Sequence, residues 1–337
     1  MDNNELSICI TTYNRAKQLE NTLKCLENQT CQNFKIYIIN NASDYLIENL
    51  FVSLNQEFVK KISCINRIRN IGIRANISSI FDYCDTKWCW QISDDDDIQY
   101  DAVERIYSSI KDNPDAAIID FTITNFPTKE QEFVIDDFNE FLKLYYPHYK
   151  WYRGEIIWIS DKVYNTQLIN KELCKTYDFA YSGIYAGLLF IKVIEAHKKV
   201  LMIQNPIVSY TVGSESWNMK SISLGLRTLP DFFDYLPSSQ LRKVLRILSF
   251  DFITVTSSFY MNEKSNRTTL YFDELINGLY KYMWSFSKRF FGQIMIVLSR
   301  FYFGNIILRM TFMKIVPFFQ KVLVELYKIK VKLLKRG

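Results

Sequence analysis

Histidine is almost absent from this chain: His148 and His197 are the only two in 337 residues. A zinc centre built on imidazoles and a Ser-His-Asp triad both lose their support, because each needs histidine as ligand or base. The seven cysteines, Cys9, Cys25, Cys31, Cys64, Cys84, Cys89 and Cys174, include no C-x-x-C pair. Several occupy apolar strand or helix positions and read as reduced core residues of a cytosolic chain. Glycine is missing from Thr11 to Lys17, the turn after the first predicted strand. That removes the glycine-rich phosphate loop a sugar nucleotidyltransferase would need there. The opening Met1-Asp2-Asn3-Asn4-Glu5 is acidic and leads straight into a strand, unlike a secretory leader, so a cytoplasmic location is expected.

What is present reads as globular, with 48% hydrophobic and 23% charged residues and enough length for one large domain or two. The aromatic share, 16%, suits a protein that handles sugars, lipids or membrane surfaces, although a core accounts for many such residues. Charge is unevenly spread. Residues 288–337 hold eleven Lys or Arg and one acid, Glu325, for a tail charge of +10, against −5 for the rest. Such asymmetry points to an anionic partner surface. On helical projection Lys321, Lys328, Lys332 and Lys335 share one sector, and Phe318, Val322, Leu326 and Leu333 lie off it. Basic amphipathic helices of this kind lie in membrane interfaces, and the interleaved apolar residues favour lipid over nucleic acid. A span through residues 290–308 is disfavoured, since Arg300 near its centre would cost about 2.5 kcal/mol or more.

Periodicity predicts strands at Leu6–Thr11, Phe34–Ile39, Lys61–Ile65, Trp88–Ile92 and Ala116–Phe121. Helical spacing lies between them, at Leu19, Leu23 and Leu26, at Ile77, Ile80, Phe81 and Cys84, and at Ala102, Val103, Ile106 and Ile110. Strand and helix in alternation predict a parallel sheet with right-handed crossovers. Further on, Leu144–Gly154 reads as a loop or irregular helix and Ile156–Ser160 as a strand. Helices are expected near 166–175 and 182–197, with strand pieces at Val200–Ile203 and Ile207–Thr211. Beyond Leu226 the pattern is helical, giving expected regions 1–225 (divided at 121), 226–287 and 288–337.

The most informative run is Asp94-Asp95-Asp96-Asp97, directly behind the apolar Trp88–Ile92. Four adjacent carboxylates repel one another. As hard oxygen donors delivered by a strand end, they suit Mg²⁺ or Mn²⁺ beside a diphosphate.

Four motifs in order resemble the family 2 glycosyltransferases of the GT-A fold. Ile10-Thr11-Thr12-Tyr13-Asn14-Arg15 is similar to that family's nucleotide-binding turn, and Ile39-Asn40-Asn41-Ala42-Ser43-Asp44 to its D-N-x-S segment, with Asn40 where an aspartate usually reads the base. Arg69-Asn70-Ile71-Gly72-Ile73-Arg74 is similar to its N-x-G segment, and Ile92–Ile98 to its D-x-D motif. The resemblance implies an α/β GT-A (Rossmann-like) fold with a mostly parallel sheet flanked by helices, followed here by a helical, basic C-terminal extension. It implies nucleotide-sugar contacts from Thr12, Tyr13, Arg15, Asn40, Arg69, Asp94 and Asp95, and a Mn²⁺ or Mg²⁺ held by Asp94 and Asp96.

Many relatives open a later helix with a Glu-Asp pair that supplies the general base. The comparable stretch here, Ser182–Gly187, has no acid. Asp178, Asp161 and Glu155 are the nearby candidates, with Asp178 the choice. The later region also looks like bacterial O-antigen and capsule sugar transferases of the abequosyltransferase type. The expectation is therefore an inverting transferase moving sugar from a nucleotide donor to a glycan or polyprenyl-linked acceptor, on the inner face of the cell membrane. A catalytically silent glycan-binding or scaffolding subunit is the alternative from another class.

Overall fold

The computed structural model describes residues 5–122, 130–148, 155–182 and 184–209, with scattered positions between 232 and 247. All lie in the first of two units into which the chain divides, Met1–Asn262. The basic tail at 288–337 and most of the expected helical region at 226–287 lie outside the described residues.

The first half follows the predicted alternation. Strand β1 (Leu6–Thr12) leads to helix α1 (Ala16–Glu27), then β2 (Lys35–Asn40), a 3-10 turn at Ile47–Ser53, the short α2 (Gln56–Val59) and β3 (Ile62–Asn66). Next come α3 (Ile73–Ser78), a 3-10 turn at Ser79–Asp82, β4 (Trp88–Ser93), β5 (Asp97–Ile98), α4 (Ala102–Asp112) and β6 (Ile118–Asp120). Strand β1 is buried at six of its seven residues, as expected for a strand covered on both faces. Leu19, Leu23 and Leu26 of α1, and Val103, Ile106 and Ile110 of α4, form one cluster with Ile8, Ile10, Trp90 and Ile92. Fully burying each aliphatic side chain contributes about 1.5–3 kcal/mol, so the helical stripe read from spacing is what seats these helices on the sheet.

The second half contains β7 (Glu132–Ile135), α5 (Phe138–His148), β8 (Lys162–Asn165), α6 (Thr166–Tyr177), α7 (Tyr185–Glu195), β9 (Val200–Ile203) and β10 (Val208–Ser209). The main sheet has the order β3-β2-β1-β4-β8-β6-β9-β7. Its first four strands are parallel, β8 runs antiparallel between β4 and β6, and β7 is antiparallel to β9. Strands β5 and β10 form a separate antiparallel ribbon.

Several expectations are corrected. Ile156–Ser160 is not a strand: a 3-10 turn covers Glu155–Ile157, and the strand begins at Lys162. The lysine hid it, because a charged residue at a strand start reads as a loop until its buried partners are known. Leu144–His148 is the last part of α5, and 149–154 lie outside the described residues. The third helical segment is short and gives way to a 3-10 turn before Cys84. Of the strand piece expected at 207–211, Val208–Ser209 is a strand and pairs with β5 instead of completing the main sheet, and 210–211 lie outside the described residues.

Candidate active site

Sheet order reverses direction at β1, whose neighbours are β2 and β4, and ligands of open α/β sheets bind where such a reversal opens a crevice at the carboxyl ends. The turn after β1 and the aspartate run after β4 meet there. Thr12 donates its hydroxyl to Asp94 Oδ2 at 2.7 Å, and Arg15 Nε lies 3.2 Å from Asp94 Oδ1. A second Arg15 nitrogen pairs with Asp95, whose other oxygen accepts from the Ser93 hydroxyl at 2.7 Å. Asp96 accepts from the Ser93 backbone N–H at 2.7 Å. The backbone is pinned as well, since Thr22 of α1 donates to the Asp94 carbonyl at 3.0 Å.

The flanking turns are locked to one another. Asn14 and Ala42 both hold positive φ, 54° and 64°, a region that side chains other than glycine seldom occupy. Asn14 donates its N–H to Ser43 Oγ and accepts from the Asp44 N–H, both at 2.9 Å, which joins the β1 turn to the β2 turn. Asn41 bonds Asn70 and accepts from the Ile71 N–H, tying the β2 turn to the third motif. Strain of this kind, held by cross-links between loops, belongs to sites that must be rigid before a ligand arrives.

The expected site residues are therefore brought together with distinctions. Thr12, Arg15, Asp94, Asp95 and Asp96 form one cluster. Tyr13, next to Thr12, is 44% exposed, and Arg69 is exposed on the third motif. Asn40 is buried, accepting from the Ser43 N–H and donating to Asn66, so it shapes the turn where the resemblance implied direct base contact. Asp178 caps the C-terminus of α6 and is exposed. Asp161 is fully buried, 2.7 Å from Lys162 Nζ, and serves the core; Glu155 opens a 3-10 turn.

Sequence reasoning missed Ser160. Its hydroxyl accepts from the Ser93 N–H at 3.2 Å, the same N–H that donates to Asp96, while its carbonyl accepts from Trp90 Nε1 at 2.8 Å. A lone serine far along the chain carries no such signal. Behind it Asp120, Asp161 and Lys162 form a fully buried ionic triad, with Lys162 3.5 Å from Asp120. Also missed was Tyr185, at the stretch where relatives carry acid: it is buried, and its hydroxyl donates to Gln91 of β4.

Electrostatics single out two carboxyls. Burial pushes Asp94 up to about 6, opposed by the Thr12 hydrogen bond and the Arg15 charge. Burial pushes Asp96 up to about 7, opposed by bonds from Ser160 and the Ser93 N–H. Among the described residues no Lys or Arg pairs with Asp96, so an oxygen-donor set with excess negative charge faces the crevice. That donor set fits a hard divalent cation. Both folded values exceed the ordinary 3.8, so between about pH 4 and 7 the folded chain keeps protons that the unfolded chain has released. Cation-free stability should accordingly fall as pH rises through that window, and added Mn²⁺ should reverse the fall. Thermal melts at pH 5 and pH 7.5, with and without Mn²⁺, check this; a Mn²⁺ effect equal at both pH values would refute it.

A mixed, mostly parallel α/β sheet flanked by helices, with an aspartate cluster at its switch point, matches the architecture of GT-A glycosyltransferases. Residues 7–178 match the glycosyl transferase family 2 model, and the chain belongs to that family. The crystal structure of S. aureus TarS residues 1–349 aligns with a TM-score of 0.55 at 11% identity, over 81% of this chain and 80% of that one. The same TarS segment in complex with UDP-GlcNAc aligns at 0.56 and 11%, covering 82% and 80%, and in complex with UDP at 0.56 and 11%, covering 82% and 81%. No curated protein matches the chain.

Proposed function

We propose that this glycosyltransferase is an inverting, cation-dependent enzyme that moves a sugar from a nucleotide-sugar donor to a glycan or polyprenyl-linked acceptor of a bacterial surface polysaccharide or lipopolysaccharide. The observation that carries the reading is the joining of Thr12 and Arg15 to Asp94 and Asp95, with Ser160, from a distant segment, sharing the Ser93 N–H with Asp96. Asp96, with Asp94 beside it, would hold Mg²⁺ or Mn²⁺, which when bound offsets charge on the departing nucleoside diphosphate. Arg15 orients Asp94 and Asp95. Tyr13 and Arg69 face the nucleotide as ring and counter-charge, and Asp178 takes the proton of the acceptor hydroxyl. One displacement at the anomeric carbon inverts configuration.

The TarS complexes make uridine donors the first to try. Thermal shift against nucleoside diphosphates and nucleotide sugars with Mn²⁺ tests the donor, because a ligand selective for the folded chain raises its stability. Donor hydrolysis with and without Mn²⁺ separates an enzyme from a silent glycan-binding subunit. Asp178→Asn should lower kcat with KM for donor little changed, while Tyr13→Ala and Arg69→Ala should raise that KM. If Glu155→Gln is the inactive variant instead, the base is reassigned.

The reading also puts the enzyme at the inner face of the cell membrane through 288–337. Each Lys or Arg near an anionic surface contributes about 1 kcal/mol, screened by salt, while buried Phe and Leu contribute a part that salt does not weaken. No helix among the described residues is long and apolar enough to cross a membrane. Full-length chain should sediment with anionic liposomes, incompletely released by salt, and a truncation after Ser287 should not. Equal recovery of both in the supernatant would reject the anchor.

A further inference from the structure

Three of the seven cysteines converge under the sheet, away from the aspartate cluster. Cys9 stands mid-strand in β1, Cys89 lies near the start of β4, and Cys84 sits on the loop that enters β4 from the 3-10 turn at Ser79–Asp82. Their sulfurs all lie within 4.8 Å of one another, with Cys89 Sγ 3.7 Å from Cys9 Sγ. Around them Ile39 and Ile80 are buried, with Tyr37, Ile65, Phe81 and Tyr83 packed against the cluster. Cys9 and Cys89 have no exposure, whereas Cys84 is half-buried and provides an approach.

We propose that Cys9, Cys84 and Cys89 form a binding site for a thiophilic d¹⁰ cation of the Zn²⁺, Cd²⁺ or Cu⁺ class. A cation about 2.3 Å from each sulfur sets sulfurs roughly 3.8–4.0 Å apart, and small rotations about χ1 bring the trio to that spacing. Soft thiolates in a dry setting select such ions over Mg²⁺ and Mn²⁺, so the site does not compete with the carboxylates for their cation. The Thr86 hydroxyl, 3.6 Å from Cys84 Sγ, donates to the Trp88 carbonyl at 2.7 Å and is hydrogen-bonded to the Ser7 hydroxyl at 2.8 Å, which fixes the loop carrying Cys84. A bound ion would cross-link β1, β4 and the loop that connects the third nucleotide motif to the aspartate strand.

The test titrates Cd²⁺ into reduced full-length protein under argon and follows the ultraviolet thiolate-to-cadmium band, which carboxylates do not produce. One tight equivalent carrying that band is expected, with a raised Tm, unaffected by millimolar Mn²⁺. Competition of bound Cu⁺ against a chromophoric chelator distinguishes the monovalent from the divalent occupant. A chain with Cys25, Cys31, Cys64 and Cys174 all changed to Ser should keep the tight equivalent. Cys84→Ser, at a half-buried loop position, should weaken it more than tenfold without loss of fold. Undiminished uptake by Cys84→Ser, or loss of the tight equivalent in the quadruple variant, would overturn the site.

Discussion

Asp96→Asn should abolish sugar transfer while leaving the chain folded. The amide oxygen still accepts from the Ser93 N–H, so the turn after β4 keeps its shape. What disappears is the charge, which burial already makes costly and which no Lys or Arg among the described residues offsets. Stability near neutral pH should therefore hold or rise slightly. With Asp96 as the proposed cation ligand, its loss should remove at least about 2 kcal/mol of transition-state stabilisation, more than tenfold in rate. Asp94→Asn should be comparably inactive for a partly different reason, since it also uncouples Arg15 from the cluster. Asp97→Asn, exposed at the start of β5, serves as the control and should retain activity. Turnover assays beside melting curves decide the matter: near-normal rates in both Asp94→Asn and Asp96→Asn would sink the assignment.

The largest stability effect is expected from Lys162→Met. Lys162 is fully buried between Asp120 and Asp161, and burial pushes both carboxyls up in pKa even with the lysine present. One oxygen of each aspartate, Asp120 Oδ1 and Asp161 Oδ2, lacks a hydrogen-bond partner. Removing the cation strands two acids in the core, a change that typically costs about 3–5 kcal/mol. At roughly 2–4 °C per kcal/mol for a domain of this size, Tm should drop by about 10 °C. Adding Asp161→Asn to Lys162→Met should recover part of the loss, because it relieves the mutual repulsion. The variant should also lose activity at temperatures where it stays folded, since Asp161 adjoins Ser160, which shares the Ser93 N–H with Asp96. A Tm within 2 °C of the parent would show that the triad is solvated and the argument wrong.

Alternating apolar periods made β1, β2, β3, β4 and β6, α1 and α4 readable in advance, as did the placing of Asp94–Asp97 at a strand end. Each of those features is local: a strand buried on both faces needs a continuous apolar run, and a helix needs a stripe, whatever their partners. The second half resisted because its decisive features are pairings across the chain. Lys162 opens a central antiparallel strand only because Asp120 and Asp161 neutralise it. Ser160 reaches Ser93, at the head of the aspartate run, only because β8 inserts beside β4. Asn40 looks like a base reader until Ser43 and Asn66 are seen to occupy its amide. Cys9, Cys84 and Cys89 were scattered core thiols until the packing of β1 against β4 brought them within bonding range of a single ion. Local pattern states which residues must be buried, but partnership across 70 or 80 residues is set by how the sheet closes, and chemistry at this site depends on those partnerships.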